Sequence, residues 1–318
     1  MSNERKGKPS SSSFHRYALC PGAFALEQTV PERKASPEAN LGTLVHQYLA
    51  GEKVELDAEG TQIADQCVVQ YNAVRDFVIG NRYFGIPCKE ERFWYRDEWS
   101  GAIDRIDFFY DEEGEYALIT DYKTGRGEVD PAAENIQLRA YALLVAEVFT
   151  NLTAIYATVV QPHAGNPTVT VYRAPEIAQA REEIDKLMAA IKAPDAPRKP
   201  SPEACKYCRA LAVCPEAAGE TKALATRSVS DVPALPDLEL SQLLTASTVV
   251  EDFIAAIKEE AKARLKAGKE VPGWRLIEKK GATRTDSKAL KIRWSELTSE
   301  PIPTVTGEPS LMLKKSNQ

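Results

Sequence analysis

One stretch, Gly101 to Tyr141, sets what this chain can fold into: GAIDRIDFFYDEEGEYALITDYKTG, a short link, then ENIQLRAY. Two apolar-rich runs, Ala102–Tyr110 and Glu115–Tyr122, flank Asp-Glu-Glu-Gly and predict an antiparallel hairpin. Taking Asp111–Gly114 as a four-residue loop makes Tyr110 face Glu115, and counting outward sets Asp104 opposite Asp121. Facing strand residues have Cβ atoms only about 4.5–5.5 Å apart, where like charges destabilise. Lys123 lies two residues past Asp121 and so points to the same sheet face. Both acids sit among Ile103, Ile106, Phe108, Leu118 and Ile119, where an unpaired charge is costly. Two carboxylates and one ammonium converging there suit a divalent cation and an activated water. The bland alternative is a surface hairpin with unrelated solvated charges.

The 318 residues hold one large domain plus an appendage, and 43% hydrophobic content suffices for a core. No apolar run approaches the ~18 residues of a membrane span, and the Ser-rich, charged N-terminus is unlike a signal peptide. The expectation is a cytoplasmic protein with no membrane partner. Six cysteines in a reducing compartment point to metal, redox use or burial rather than disulfides. The net charge of −6 does not favour a nucleic-acid ligand, although only the binding groove of a nucleic-acid-binding protein must be positive.

Residues 1–10 read as a disordered tail, after which a serine of Ser11–Ser13 caps a short helix carrying Phe14, Tyr17 and Leu19. Asn40–Ala50 and Ala64–Ile79 carry apolar residues at helical spacing, with His46 in the first and Cys67 facing the core in the second. A lone histidine on an apolar helix is ordinarily a core residue. Glu90–Tyr95 reads as a strand, and Glu91 is a possible third acid near the site. Pro131 opens a helix in which Gln137 and Tyr141, four apart, share one face. Thr153–Gln161 and Thr168–Tyr172 read as strands, Glu176–Lys192 as a helix, and Ala193–Pro202 as a proline-rich link.

Cys205-Lys-Tyr-Cys208-x5-Cys214-Pro215 is the second strong signal, because three cysteines so close, the last followed by proline, favour thiolate ligation of metal. The fourth ligand must come from elsewhere, and Cys20, also followed by proline, is the natural candidate. Cys67 and Cys88 are left over as structural residues. Beyond Glu216 two helices are expected, Leu238–Leu244 and Val249–Leu265, the latter stopped by Gly268. Between Lys262 and Arg293 eleven Lys/Arg stand against three Asp/Glu, enough to form a positive rail. Within it VPGWRLIEKKGATR reads as a short basic-edged strand, and Thr304–Gln318 as a flexible tail.

Gly-Ala-Ile-Asp104, then Asp121-Tyr-Lys123, then Gln137-x-x-x-Tyr141 resembles the PD-(D/E)xK nuclease superfamily, most closely its RecB-like branch. Ser-x-Phe-x-x-Tyr-x-x-Cys20-Pro is similar to the opening of its iron–sulfur-bearing members, and Gly42-x-x-x-His46 matches another element. The Pro-Gly-Trp segment at 272–274 is similar to the close of a family of prophage proteins, so the resemblance covers nearly the whole chain.

The resemblance implies an α/β fold, a mixed sheet flanked by helices in a restriction-endonuclease-like core, with a C-terminal helical and basic extension. The nuclease domain would span 11–216 and the extension 217–303, with tails at 1–10 and 304–318. It implies a metal-dependent deoxyribonuclease of phage recombination, with Mg2+ or Mn2+ held by His46, Asp104, Asp121 and the Tyr122 carbonyl. Lys123 would orient the attacking water, while Gln137 and Tyr141 position the water–lysine pair and contact DNA. No direction is set for the Lys123 pKa, since nearby acids raise it and burial lowers it. Cys20, Cys205, Cys208 and Cys214 would hold a 4Fe-4S cluster, with a structural Zn2+ as the rival. Single- or double-stranded DNA is the implied partner, with a phage single-strand-annealing or DNA-binding protein as a second, in the bacterial host cytoplasm. Two other readings stay open: a non-catalytic DNA-binding or scaffold protein with a relic site, and a zinc-stabilised interaction module.

Overall fold

The computed structural model describes residues 7–32, 37–127, 129–165, 167–225 and 235–276. Contacts divide the chain into two units, Met1–Ala261 and Lys262–Gln318. The first holds a six-stranded mixed sheet flanked by helices, the expected α/β arrangement. Its strands are β1 (Tyr83–Phe84), β2 (Cys88–Tyr95), β3 (Trp99–Asp111), β4 (Gly114–Tyr122), β5 (Leu152–Val160) and β6 (Val169–Tyr172). β1 and β2 both pair antiparallel with β3, and β3 pairs antiparallel with β4. β4 runs parallel to β5 and β5 antiparallel to β6.

The β3–β4 register pairs Tyr110 with Glu115, as counted from the sequence, but the ladder continues to Asp111 and Gly114. Only Glu112 and Glu113 remain as the loop. Gly114 adopts φ +155°, and a Cβ there would lie 2.0 Å from Thr153 Oγ1, so the backbone approach demands glycine.

The helices are α1 (Phe14–Leu19), α2 (Ala23–Glu27), α3 (Pro37–Ala50), α4 (Ala58–Val78), α5 (Ile136–Val148), α6 (Ala174–Lys192), α7 (Pro202–Cys205), α8 (Pro215–Ala225) and α9 (Asp237–Lys266). α5 is the crossover between the parallel strands, a connection too long for a turn. It starts at Ile136 rather than at Pro131, because the extended Asn135 accepts the Gln137 and Leu138 N–H groups on its side chain, at 2.9 and 3.2 Å. Leu138, Leu143 and Leu144 of α5 are fully buried with Phe14, Trp99, Ile103, Ile106 and Ile184. Across the sheet, Val45 of α3 and Ile63, Ala64, Cys67 and Tyr71 of α4 pack with Tyr122 and Val160.

Three further expectations change. Ser11–Ser13 form a 3-10 turn without a serine side-chain cap, and the expected tail ends in structure: Pro9 O accepts the Ser100 N–H at 3.2 Å and Ser10 bridges to Ser100. The two helices beyond residue 237 are one, Asp237–Lys266, with the Thr245 and Thr248 hydroxyls absorbed by bonds to the Ser241 and Leu244 carbonyls. α9 is thus long and apolar enough to cross a membrane by length and composition alone, although Val249, Phe253 and Ala256 pack with Cys205, Cys208, Leu211 and Ala217. The beginning of the expected extension therefore shares a unit with the sheet.

In the second unit, Val271–Trp274 forms a turn with Gly273 at φ +80°, not a strand, closed by a 3.0 Å bond from Trp274 N–H to the Val271 carbonyl. Most of the expected basic rail and the tail at 304–318 lie outside the described residues.

Candidate active site

Asp104 lies one step outward from the last β3–β4 pair, Arg105 with Thr120, so the same register brings it opposite Asp121. Its Oδ2 accepts the Tyr122 N–H at 2.6 Å, which ties the ends of the two strands together. Asp104 is 9% exposed and Asp121 1%. The like-charge pair foreseen from the hairpin is therefore built and taken out of water.

A third acid stands on the other flank of Asp104, and it is Glu90 rather than Glu91. β2 pairs Lys89 with Arg105 and Glu91 with Ile103, so Glu90 occupies the step opposite Asp104. Glu90 leaves the ladder with φ +48°, a left-handed conformation unusual for a residue with a side chain. Glu91 is exposed on the same strand and does not join the cluster. Counting from Tyr95 opposite Trp99 reaches Glu90 and Asp104, but that register is set by the Arg96–Asp97 turn, which the sequence does not mark.

α3 supplies His46. Its Nδ1 lies 3.2 Å from Asp104 Oδ1 and 3.4 Å from Glu90 Oε1, and its ring meets Tyr122 edge-on. Gly42, one turn earlier, permits the approach, since a Cβ there would lie 2.9 Å from Thr124 Oγ1. Burial opposes a charge on the imidazole, but the hydrogen bonds and charges of Asp104 and Glu90 override it and push the His46 pKa up to about 10. Ligand atoms of His46, Glu90 and Asp104 all lie within 4.8 Å of one another. Two hard carboxylates with one imidazole fit Mn2+ well, and the oxygens fit Mg2+.

Asp121 faces a different set of partners. Lys123 Nζ lies 2.8 Å from its Oδ2, and Gln137 Nε2 donates to its Oδ1 at 3.1 Å. Lys123 Nζ also donates to Gln137 Oε1 at 3.1 Å. Gln137 Nε2 reaches Tyr141 Oη at 2.6 Å, and that hydroxyl donates to the Ala102 carbonyl at 2.6 Å. Burial pushes the Asp121 carboxyl up, and the Asp104 charge adds to it against the pull of Lys123. Burial works against the Lys123 ammonium, but Asp121 and Asp104 raise its pKa, so it stays charged. Tyr141 is pushed far up by burial beside both acids, so its hydroxyl keeps its proton. Asp104, Asp121, Lys123, Gln137 and Tyr141 thus meet at one end of the sheet, with His46 on Asp104. Tyr122 contributes its N–H to Asp104, and its ring packs under the site.

Cys20, Cys205, Cys208 and Cys214 line one small cavity together with Leu26, Arg198 and Leu211. All four are buried free thiols. Burial pushes Cys205 up to about 11 and Cys208 up to about 12. The Lys199 N–H points at Cys20 Sγ from 3.2 Å. A buried carboxylate braces the cavity wall: Glu27 accepts from Arg16 at 2.9 Å, from the Tyr17 hydroxyl at 3.0 Å and from the Arg209 N–H at 3.1 Å. Among the described residues no three of these sulfurs lie within 4.8 Å of each other. Tetrahedral zinc with bonds of ~2.3 Å needs sulfurs roughly 3.8 Å apart. Cys67 is buried in the α4 core and Cys88 is half-buried on β2.

The fold and site define an α/β protein with an acid–imidazole cluster and a buried lysine–acid pair at one end of its sheet. The chain belongs to the family described as "Protein of unknown function (DUF2800)", which matches residues 113–300. That match includes Asp121, Lys123, Gln137, Tyr141 and three of the four clustered cysteines; His46, Glu90, Asp104 and Cys20 precede it. Among solved structures, a candidate exonuclease from Eubacterium rectale is 15% identical with TM-score 0.34, covering 58% of this chain and 80% of that one. A protein named SSO0001 is 16% identical with TM-score 0.33, covering 67% of this chain and 87% of that one. At these scores neither likeness bears on the chemistry.

Proposed function

We propose that this chain is a metal-dependent deoxyribonuclease of the PD-(D/E)xK type, hydrolysing phosphodiester bonds during phage recombination or DNA processing. The observation that carries this reading is the row Glu90, Asp104, Asp121 with His46 on one side and the Lys123–Gln137 pair on the other. Asp104 and Asp121 are buried and Glu90 stands beside them at the surface, so a divalent cation would relieve the like-charge repulsion that Lys123 and His46 offset in its absence. Glu90, Asp104 and His46 would hold Mg2+ or Mn2+, with Asp121 and the Tyr122 carbonyl as further donors. When bound, the cation supplies polarisation of the scissile phosphate and an acidified water.

The chain's own groups do the positioning. Asp121 keeps Lys123 protonated, so its ammonium can orient the attacking water and stabilise charge developing on the phosphate. Gln137 fixes the ammonium, and Tyr141, anchored on the Ala102 carbonyl, fixes Gln137. End-labelled single- and double-stranded DNA, incubated with Mg2+ or Mn2+, should be degraded, and EDTA should stop it. Salt-sensitive DNA binding without cleavage under every metal condition would instead identify a DNA-binding protein with a relic site.

The four clustered cysteines are proposed to hold a 4Fe-4S cluster. The Cys205-x2-Cys208-x5-Cys214-Pro spacing, with Cys20 beside it in one cavity, supports this reading, and Zn2+ is the alternative. The cluster would join α1 to the 205–214 loop and so close the two ends of the sheet-bearing domain. Anaerobic purification should give a brown protein containing iron and acid-labile sulfide. Colourless protein with stoichiometric zinc would contradict it.

A further inference from the structure

The cysteine loop carries a second feature, on the side that faces the loop following Lys123. Between two buried ligand candidates, Cys205 and Cys208, the chain turns Lys206 and Tyr207 outward, and Tyr207 is 67% exposed. Its backbone is held: Arg16 Nη1 donates to the Tyr207 carbonyl at 3.1 Å, and Arg16 is itself anchored on buried Glu27. Lys206 Nζ lies 5.3 Å from the Tyr207 ring centroid. A Cβ on Gly127 would lie 3.5 Å from Tyr207 Oη and 3.9 Å from Lys206 Nζ. Gly127 is in turn pinned to the sheet, because Gln161 Nε2 donates to the Gly125 and Gly127 carbonyls at 2.9 and 2.6 Å. Arg126, between them, is exposed.

Gly127 is four residues from Lys123, which limits their Cα separation to about 14 Å at ~3.6 Å per residue. A rigidly mounted aromatic face with two cations thus stands within a few nucleotides' reach of the candidate catalytic amine. Single exposed aromatics are ordinary. What distinguishes this one is the fixed backbone, the adjoining charges of the sign that phosphates require, and its position beside Gly127 of the loop leaving the active site.

We infer that Lys206 and Tyr207 form a platform for a single DNA strand, with a base stacked on the Tyr207 ring and the adjoining phosphates met by Lys206 and Arg126. Stacking tolerates every base, so the platform would bind without sequence preference. The inference rests on the nuclease reading and assigns that site an unpaired strand as its substrate.

The test is anisotropy of a labelled single-stranded oligonucleotide with the full chain in EDTA, where no cleavage interferes. Tyr207→Ala should weaken binding about five- to hundredfold, as loss of one stacked base does. Tyr207→Phe should bind like the parent, and Tyr207→Trp should bind and have its indole fluorescence quenched by the oligonucleotide. Lys206→Ala should reduce the salt slope by about 0.7, the value for one lost phosphate contact on single-stranded DNA, whereas Tyr207→Ala should leave the slope unchanged. A parent that binds the oligonucleotide while Tyr207→Ala binds equally well overturns this inference alone. A parent that binds no oligonucleotide also overturns this inference, and the nuclease reading falls with it only if the parent fails to cleave DNA in Mg2+ or Mn2+ as well.

Discussion

Gln137 Oε1 accepts a hydrogen bond from Lys123 Nζ at 3.1 Å, and this bond joins α5 to the end of β4. The same amide binds Asp121 and Tyr141 through its nitrogen, so one side chain sets the position of the amine against the buried acid. Gln137→Ala should therefore lower the cleavage rate by about 10²-fold, the usual cost of a misplaced group near the chemistry. DNA affinity should change little. Single-turnover rates alongside binding in EDTA separate the two effects.

Glu90 should matter where its neighbour does not. Glu90→Gln removes one anionic donor from the cluster around Asp104 and should weaken Mn2+ binding about tenfold or more. Glu91→Gln, opposite Ile103 and outside the cluster, should leave it unchanged. Isothermal titration of both variants with Mn2+ gives the comparison.

His46 links metal binding to pH. In the metal-free protein its proton is held up to about pH 10, whereas a ligand imidazole must be neutral. Cation binding near pH 8 should release about one proton, and apparent affinity should rise with pH. Calorimetry in two buffers of different ionisation enthalpy measures the released proton, and equal heats in both would contradict it. Without metal the sign reverses. The folded pKa is raised above the ordinary 6.5, so the contribution to stability is complete below about pH 6.5 and lost as pH climbs through about 10.

At Gly101 the N-terminal segment, β3 and α5 meet. A Cβ there would lie 2.7 Å from Ser11 Oγ, 2.8 Å from the Tyr141 ring and 2.9 Å from Leu144 Cδ1. Gly101→Ala should cost about 1–3 kcal/mol by overpacking, and it should lower activity further by displacing Tyr141. Thermal denaturation and cleavage rates check the two parts.

The acid pair was legible because a hairpin register follows from its turn and from period-two alternation, and the pair survived a change of loop from four residues to two. Glu90 was not read because its register depends on the turn between β2 and β3, where Arg96 and Asp97 take φ +48° and +55° without a glycine to signal it. Asn135 overrode Pro131 because a side-chain cap satisfies two N–H groups that a proline at the first turn leaves open. The gathering of Cys20 with the later cysteines was legible from the trailing prolines. The brace of Glu27 behind them was not, since a glutamate on a short helix looks solvated until its partners are placed.

The most direct test is the cleavage rate of end-labelled DNA in Mg2+ or Mn2+ by the parent chain and by Asp104→Ala, Asp121→Ala and Lys123→Ala, with folding confirmed by circular dichroism. The account predicts metal-dependent cleavage by the parent and its loss in each folded variant, with DNA binding retained. Full activity in any of the three, or a folded parent inert with every metal, would contradict it.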